Sequence, residues 1–401
     1  MVAAVLLWLG FLIMPKRILM KLERYLAAVL FLSFFLTGCS SFKVAKPTPT
    51  DDFGSPEYLD ISNHNFFHEG PELPLQEIDR ISLTAAPIEN IFAIGESVVM
   101  VTKNGRVYAN RINGKKIRGK LKLENNSEGF ATLHNDRYLI FALKLAQKTL
   151  QCYDLIRGKY LWKVNAGLQG GAPLVADSSV YVISRFKHAS RYSLASGRRL
   201  WKKRTDSFAH TTPGIVNDLV VFGTDEGKVK ALFRKNGEAA WETELKGPIY
   251  NAPIFDGRTI YISSVGNTVT ALNPENGTIE WSRMIDGGSW RTPALKDTTL
   301  IVTSSNGKIY ALNTRDGAEL WIHSIAAPIG TSPVIVDDLI YFGGADNFIY
   351  AVTLADGNPV WQAELRGRVR TNPVVSGDYL LVGSENKYVY VFEHAAERSQ
   401  K

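Results

Sequence analysis

Residues 213–246 read PGIVNDLVVFGTDEGKVKALFRKNGEAAWETELK. Short apolar or alternating runs are cut here by turn-forming residues: Asn217-Asp218, Asp225-Glu226-Gly227 and Asn236-Gly237. Period-two alternation bounded by such signals predicts four strands joined by hairpins: GIV, LVVFG, KVKALFR and AAWETEL. The same unit recurs along the chain. Trp162, Trp201, Trp241, Trp281, Trp321 and Trp361 are spaced 39 and then 40 residues apart. Pro173, Pro213, Pro253, Pro293, Pro333 and Pro373 keep an interval of 40, and Gly158, Gly197, Gly237, Gly277, Gly317 and Gly357 each stand four before a Trp. Three residue types locked to one period define a repeat, and four strands per 40 residues predict the blades of a β-propeller.

Units start near Pro87, Gly129, Pro173, Pro213, Pro253, Pro293, Pro333 and Pro373. The first two are degenerate: Arg118 stands where Trp belongs, and Ala131 where Pro belongs. The last unit stops after its third strand, KYVYVFEH, whereas one unclaimed strand, QEIDRISL (76–83), precedes the first unit. Placing that strand in the last unit closes the ring and hides both sheet edges. The expected fold is all-β: an eight-bladed propeller of four-stranded blades over residues 75–393, closed by an N-terminal strand.

ALNPENGTIEW (271–281) and ALNTRDGAELW (311–321) are the same phrase 40 residues apart. It marks the turn between third and fourth strands: Gly permits the tight backbone, Asn or Asp hydrogen-bonds it, and Trp packs on the neighbouring blade. The six repeated tryptophans are therefore read as structural docking residues. The phrase resembles the tryptophan-docking motif (Ala-x-Asp-x-x-x-Gly-x-x-x-Trp) of quinoprotein propellers, and period, motif and blade count resemble the pyrroloquinoline-quinone-like repeat superfamily over nearly the whole mature chain. Cys152 falls at the Ala position of the phrase and is read as a small core residue.

Two cysteines exclude a disulfide framework. From Met20 the chain reads MKLERYLAAVLFLSFFLTGCSS: a basic start, an apolar stretch short for a bilayer span, then Leu36-Thr37-Gly38-Cys39. This matches the bacterial lipoprotein lipobox, which makes 1–38 a signal segment with its true start at Met20, and Cys39 the lipidated residue. Ser40 is not the Asp that retains such lipoproteins at the inner membrane, so the expected location is the periplasmic side of the outer membrane. Residues 39–74, rich in Pro, Ser, Thr and Asp, are read as lipidated Cys and flexible tether, and 394–401 as a polar tail. In the tether, His64 and His68 stand four apart, but Gly and Pro nearby argue against a metal-binding helix. A docking patch of Phe66 and Phe67 is the simpler reading.

Formal charge is +7; four of 46 basic and one of 39 acidic residues precede Cys39, leaving an excess of four. That mild excess gives no support for nucleic-acid binding. No catalytic signature occurs: neither HExxH, G-x-S-x-G, a P-loop nor CxxC. The turn residues Asp218, Asp256, Asp297, Asp337 and Asp378 are read as turn formers. Variation concentrates in the second-to-third turns and the blade-to-blade connections: Arg185, Phe186, Lys187, His188, Phe208, His210, Tyr250, Trp290, Arg291, Arg368 and Arg370. An aromatic and arginine-rich rim is what a protein-binding hot spot uses. Trp290 is out of register with the docking tryptophans.

Lipobox, tether, length and blade count together resemble the BamB family of outer membrane protein assembly factors. That resemblance implies a non-catalytic scaffold, no cofactor, no metal, and a monomer held in a larger complex with a BamA-like barrel-insertion protein. The chain departs from the family in one respect. Members contact partners through elongated connections between some blades, and here each docking Trp lies only 11 or 12 residues before the next Pro. A quinoprotein-type dehydrogenase resembles the chain in blades and motif, but commonly carries a vicinal cysteine pair, a calcium-binding Glu/Asn/Asp set, a catalytic Asp and large insertions. A propeller binding another envelope ligand, a glycan or peptide, would use the same rim.

Overall fold

The computed structural model describes residues 42–43, 66–67, 69–112, 114, 116–117, 121–126 and 128–395. Cys39 and the signal segment, most of the tether with His64 and His68, Arg118, and residues 396–401 of the tail lie outside the described residues.

Eight sheets form, each with four antiparallel strands, and the sheet of blade 7 gains a fifth, short strand. Blade 4, the unit quoted above, consists of Gly214–Val216, Leu219–Gly223, Lys228–Phe233 and Ala239–Glu244. The turn between its first two strands needs a left-handed residue, and Asn217 supplies it at φ 51°; Asp297 (φ 50°) and Asp337 (φ 48°) do the same in blades 6 and 7. Second strands are buried throughout, as Leu219–Gly223 and Tyr138–Leu143 show, because each is covered on both faces by neighbouring sheets. Fourth strands are half exposed and form the outer wall. In blade 8 the outermost place is taken by Leu75–Ser82, which pairs antiparallel with Tyr388–His394 from Leu75↔His394 to Ser82↔Tyr388. The ring is thus joined by strands from opposite ends of the chain.

The repeated tryptophans bind blade to blade. Each indole Nε1–H donates to a carbonyl in the next unit: Trp162 to Leu194, Trp201 to Arg234, Trp241 to Pro274, Trp281 to Thr314, Trp321 to Leu354, and Trp361 to Leu75 across the closure, at 2.6–3.0 Å. The glycine of the following phrase serves two ends. At Gly197, Gly237, Gly277, Gly317 and Gly357, φ lies between 67° and 73°. A Cβ there would also come within 2.4–2.8 Å of the preceding blade's indole. Only a residue without a side chain meets both demands.

The junction between blades 1 and 2, where Arg118 replaces the docking Trp, is filled from elsewhere. Phe42 is 1% exposed and packs in a cluster with Leu121 of blade 1 and Tyr153 and Leu155 of blade 2. Those two positions correspond to Tyr192 and Leu194, against which Trp162 packs one blade on. The Tyr153 hydroxyl donates to the Phe42 carbonyl at 2.9 Å, and the two rings meet edge to face at 6.4 Å. Phe66 and Phe67 form a short strand that adds, in parallel, to Val334–Val336 of blade 7. Cys152 is fully buried in the wall of blade 2, where desolvation pushes its thiol up to about 12, the behaviour of an inert core residue.

Candidate functional site at the channel mouth

The second-to-third turns and the blade-to-blade connections are fastened to each other by a repeated bond. In six blades the second-to-third turn donates a backbone N–H to the connection that enters the blade: Arg185 to Leu168, Asp225 to Phe208, Val265 to Pro248, Ser305 to Gly288, Ala345 to Pro328 and Glu385 to Arg368, at 2.9–3.0 Å. Nearer the channel, side chains bridge successive connections: Thr212 Oγ1 accepts from Ala172 N–H, Thr292 Oγ1 from Ala252 N–H, and Asn372 Oδ1 from Ser332 N–H. Short connections held this way present their side chains from a fixed frame.

On that frame His210, Tyr250 and Trp290 occupy the same register in blades 4, 5 and 6, each three residues before the blade's proline. They form an aromatic ladder. The His210 and Tyr250 rings meet edge to face at 6.2 Å, and the Tyr250 and Trp290 rings are 5.5 Å apart, tilted by 31°. Asp225 anchors the ladder's end: both carboxylate oxygens lie within 2.9 Å of His210 Nδ1. Burial, with the Asp225 carboxylate nearby, pushes the Tyr250 phenol up from its ordinary value and keeps its proton in place. Trp290 is 53% exposed, so its indole is available to a partner.

The ladder stands over the central cavity, of about 560 Å³, whose lining includes Phe130, Tyr250, Trp290 and Arg370. A side chamber of about 390 Å³ is lined by Phe130, His210, Tyr250, Trp290 and Arg291. Arg291, Arg368 and Arg370 share a further recess with Glu385, which pairs with Arg368 at 2.8 Å. Five residues of the expected rim, His210, Tyr250, Trp290, Arg291 and Arg370, are therefore brought together, with Arg368 beside them. Lys187 and Phe208 form a separate contact, the ammonium 4.5 Å from the ring centre. Phe186 is 60% exposed on the same turn as Lys187, and His188 Nδ1 bonds the Phe186 carbonyl at 2.7 Å. Arg185 is half-buried and lines neither chamber. Sequence reasoning missed Phe130 and Asp225. The 40-residue spacing of His210, Tyr250 and Trp290 would have disclosed the ladder, since one register in successive blades means adjacent places around the ring.

Among the described residues no group of three or more His, Cys, Asp or Glu side chains is placed to hold a metal ion. His210 has its orienting carboxylate, but among the described residues no hydroxyl or thiol bonds its second nitrogen. The mouth offers stacking faces, arginine forks and shape, which are means of recognition.

A family model described as outer membrane protein assembly factor BamB matches residues 146–232 and 186–401. The outer membrane protein assembly factor BamB of Shewanella oneidensis is 31% identical over 102 residues, which is 23% of this chain and 25% of that protein, so the match spans about a quarter of the relative's length. Among solved structures, BamB from Moraxella catarrhalis superposes with a TM-score of 0.69 at 18% identity, covering 80% of this chain and 100% of that one. A europium-containing methanol dehydrogenase gives 0.71 at 13% identity, covering 86% and 98%. At such identities these two likenesses speak to the fold.

Proposed function

The chain belongs to the family of the outer membrane protein assembly factor BamB, and on that footing we propose that it is a non-catalytic scaffold that assists assembly and insertion of β-barrel proteins in the outer membrane. In this reading Cys39 carries a lipid that anchors the mature protein on the periplasmic side, and the partner is a BamA-like barrel-insertion protein. The observation that carries it is the His210–Tyr250–Trp290 ladder flanked by Arg291 and Arg370. Aromatic faces and arginines on a rigid frame are the residues that dominate protein–protein affinity. They also replace the long inter-blade connections that this chain lacks. The test is to purify the tagged protein from its own membranes in mild detergent and identify what accompanies it. A barrel-insertion protein at near-stoichiometric yield is expected; its absence under conditions that preserve other envelope complexes would overturn the reading.

A quinoprotein-type dehydrogenase is the second reading, favoured by the likeness of fold to a methanol dehydrogenase. The residues at hand do not fit its quinone and calcium: acidic ligands are not clustered among the described residues, and Cys152 is sealed in a blade wall without a second cysteine beside it. Quinone and calcium added to the protein are expected to give no alcohol-dependent dye reduction.

A further inference from the structure

The outer wall is divided by charge. The fourth strands of blades 1–3 carry seven Lys or Arg and no acid: Lys122 in blade 1, KYLWKV (Lys159–Val164) in blade 2 and RLWKKR (Arg199–Arg204) in blade 3. The outermost strands of blades 4–8 reverse the balance: AAWETE, IEWSRM, ELWIHS, PVWQAE and LQEIDRIS hold seven acids and two arginines. Lys203 and Arg204 have carboxylate partners in Glu238 and Asp206. Among the described residues no carboxylate lies within ion-pair distance of Lys122, Lys159 or Lys202, and all three are exposed. Phe42 is plugged into the same wall, between blades 1 and 2, and the next residue, Lys43, is exposed.

We propose that the outer wall of blades 1–3 is the face that this protein lays against an anionic phospholipid surface, with Phe42 as the pin that holds it there. The inference rests on lipidation of Cys39. Only Ser40 and Ser41 separate Cys39 from Phe42, and three Cα-to-Cα steps of extended chain span at most about 11 Å. A lipid on Cys39 is therefore leashed to the junction of blades 1 and 2 and not to a free tether. The lipid of a lipobox cysteine anchors without help, and a basic patch beside it decides which wall lies on the headgroups. An acidic protein would satisfy the same charges, but the leash brings lipid headgroups to this wall first.

The test uses the full lipoprotein purified from membranes and reconstituted into phosphatidylcholine vesicles, with or without about a quarter phosphatidylglycerol. Amines are acylated with a water-soluble reagent and the sites read by mass spectrometry. Lys159 and Lys202 are expected to react about fivefold more slowly in the anionic vesicles, with recovery at about 0.5 M salt, while Lys308 on blade 6 stays unchanged. Equal reactivity of the three lysines in both vesicles would overturn the proposal. So would protection that appears only when an acidic protein is added back. Phe42→Ala is expected to keep its lipid and lose the selective protection. Should that variant fold poorly, the exposed charge reversals Lys159→Glu and Lys202→Glu are expected to abolish protection at Lys122 and Lys163. Intact mass reports the lipid on Cys39, and co-purification reports the scaffold role. Failure of either is thereby seen separately from failure of the wall.

Discussion

The indole of Trp281 lies against the backbone of Gly317 in the following blade, so close that a Cβ on Gly317 would sit 2.5 Å from its Cε3. Gly317 also holds a φ of 69°. Gly317→Ala therefore combines left-handed strain, about 1–2 kcal/mol, with overpacking of about 1–3 kcal/mol. Trp281→Ala empties the same site at about 3 kcal/mol. The double variant is expected to lose less than the sum of the two, because removing the indole relieves the clash. Urea unfolding of the three variants measures this.

Phe42 does at the first junction what tryptophan does at the others. Phe42→Ala is expected to cost about 3 kcal/mol, expressed locally as faster amide exchange at Leu121 and Tyr153. Blade 5, remote from the plug, should keep its protection. Amide exchange followed by mass spectrometry distinguishes local loosening from global loss.

His134 gives the fold an acid limit. Its Nε2 is buried without a hydrogen-bond partner among the described residues, and desolvation pushes the imidazole down to about 4. In the unfolded chain it takes up a proton near 6.5. Between those values the unfolded state binds more protons, so the stability due to neutral His134 is fully present above about pH 6.5 and falls progressively until about pH 4. Over that window the loss is about 3 kcal/mol. Asp136, raised by burial, shifts the balance the other way and is common to both proteins in the comparison. His134→Gln is expected to flatten the fall in denaturation midpoint from pH 7 to 4.

At the mouth, Trp290→Ala removes an exposed ring and is expected to change stability by no more than about 0.5 kcal/mol. If the ladder is the partner's seat, affinity should fall by about 2 kcal/mol, or roughly thirtyfold. Phe186→Ala, on a turn outside the ladder, is expected to have a much smaller effect. Titration calorimetry with the purified partner compares the two.

The architecture was legible because blades 3–8 repeat their punctuation. Asn217 and Asp297 mark left-handed turns, Gly277 and Trp281 mark a docking step, and a strand pattern at residues 76–83 had no blade of its own. What stayed hidden were contacts between distant parts of the sequence. Phe42 sits in a Ser- and Pro-containing stretch where its residue type says nothing of a socket more than a hundred residues away. The glycines were legible as turn residues, but not as the floor on which the previous blade's indole lies. Of the rim, Trp290 stood out by being out of register with the other tryptophans. Its partnership with His210 and Tyr250 follows only when positions three before each proline are compared around the ring. Arg185, chosen by loop position alone, lines neither chamber.

The central claim is that the channel mouth seats a barrel-insertion protein. The most direct measurement compares co-purification of the wild type with that of the triple variant Trp290→Ala, Arg291→Ala and Arg370→Ala, expressed at matched levels with folding checked by circular dichroism. The account predicts that the partner accompanies the wild type at near-stoichiometric yield and is largely lost from the variant. Equal recovery with both proteins would place the partner elsewhere on the propeller and contradict it.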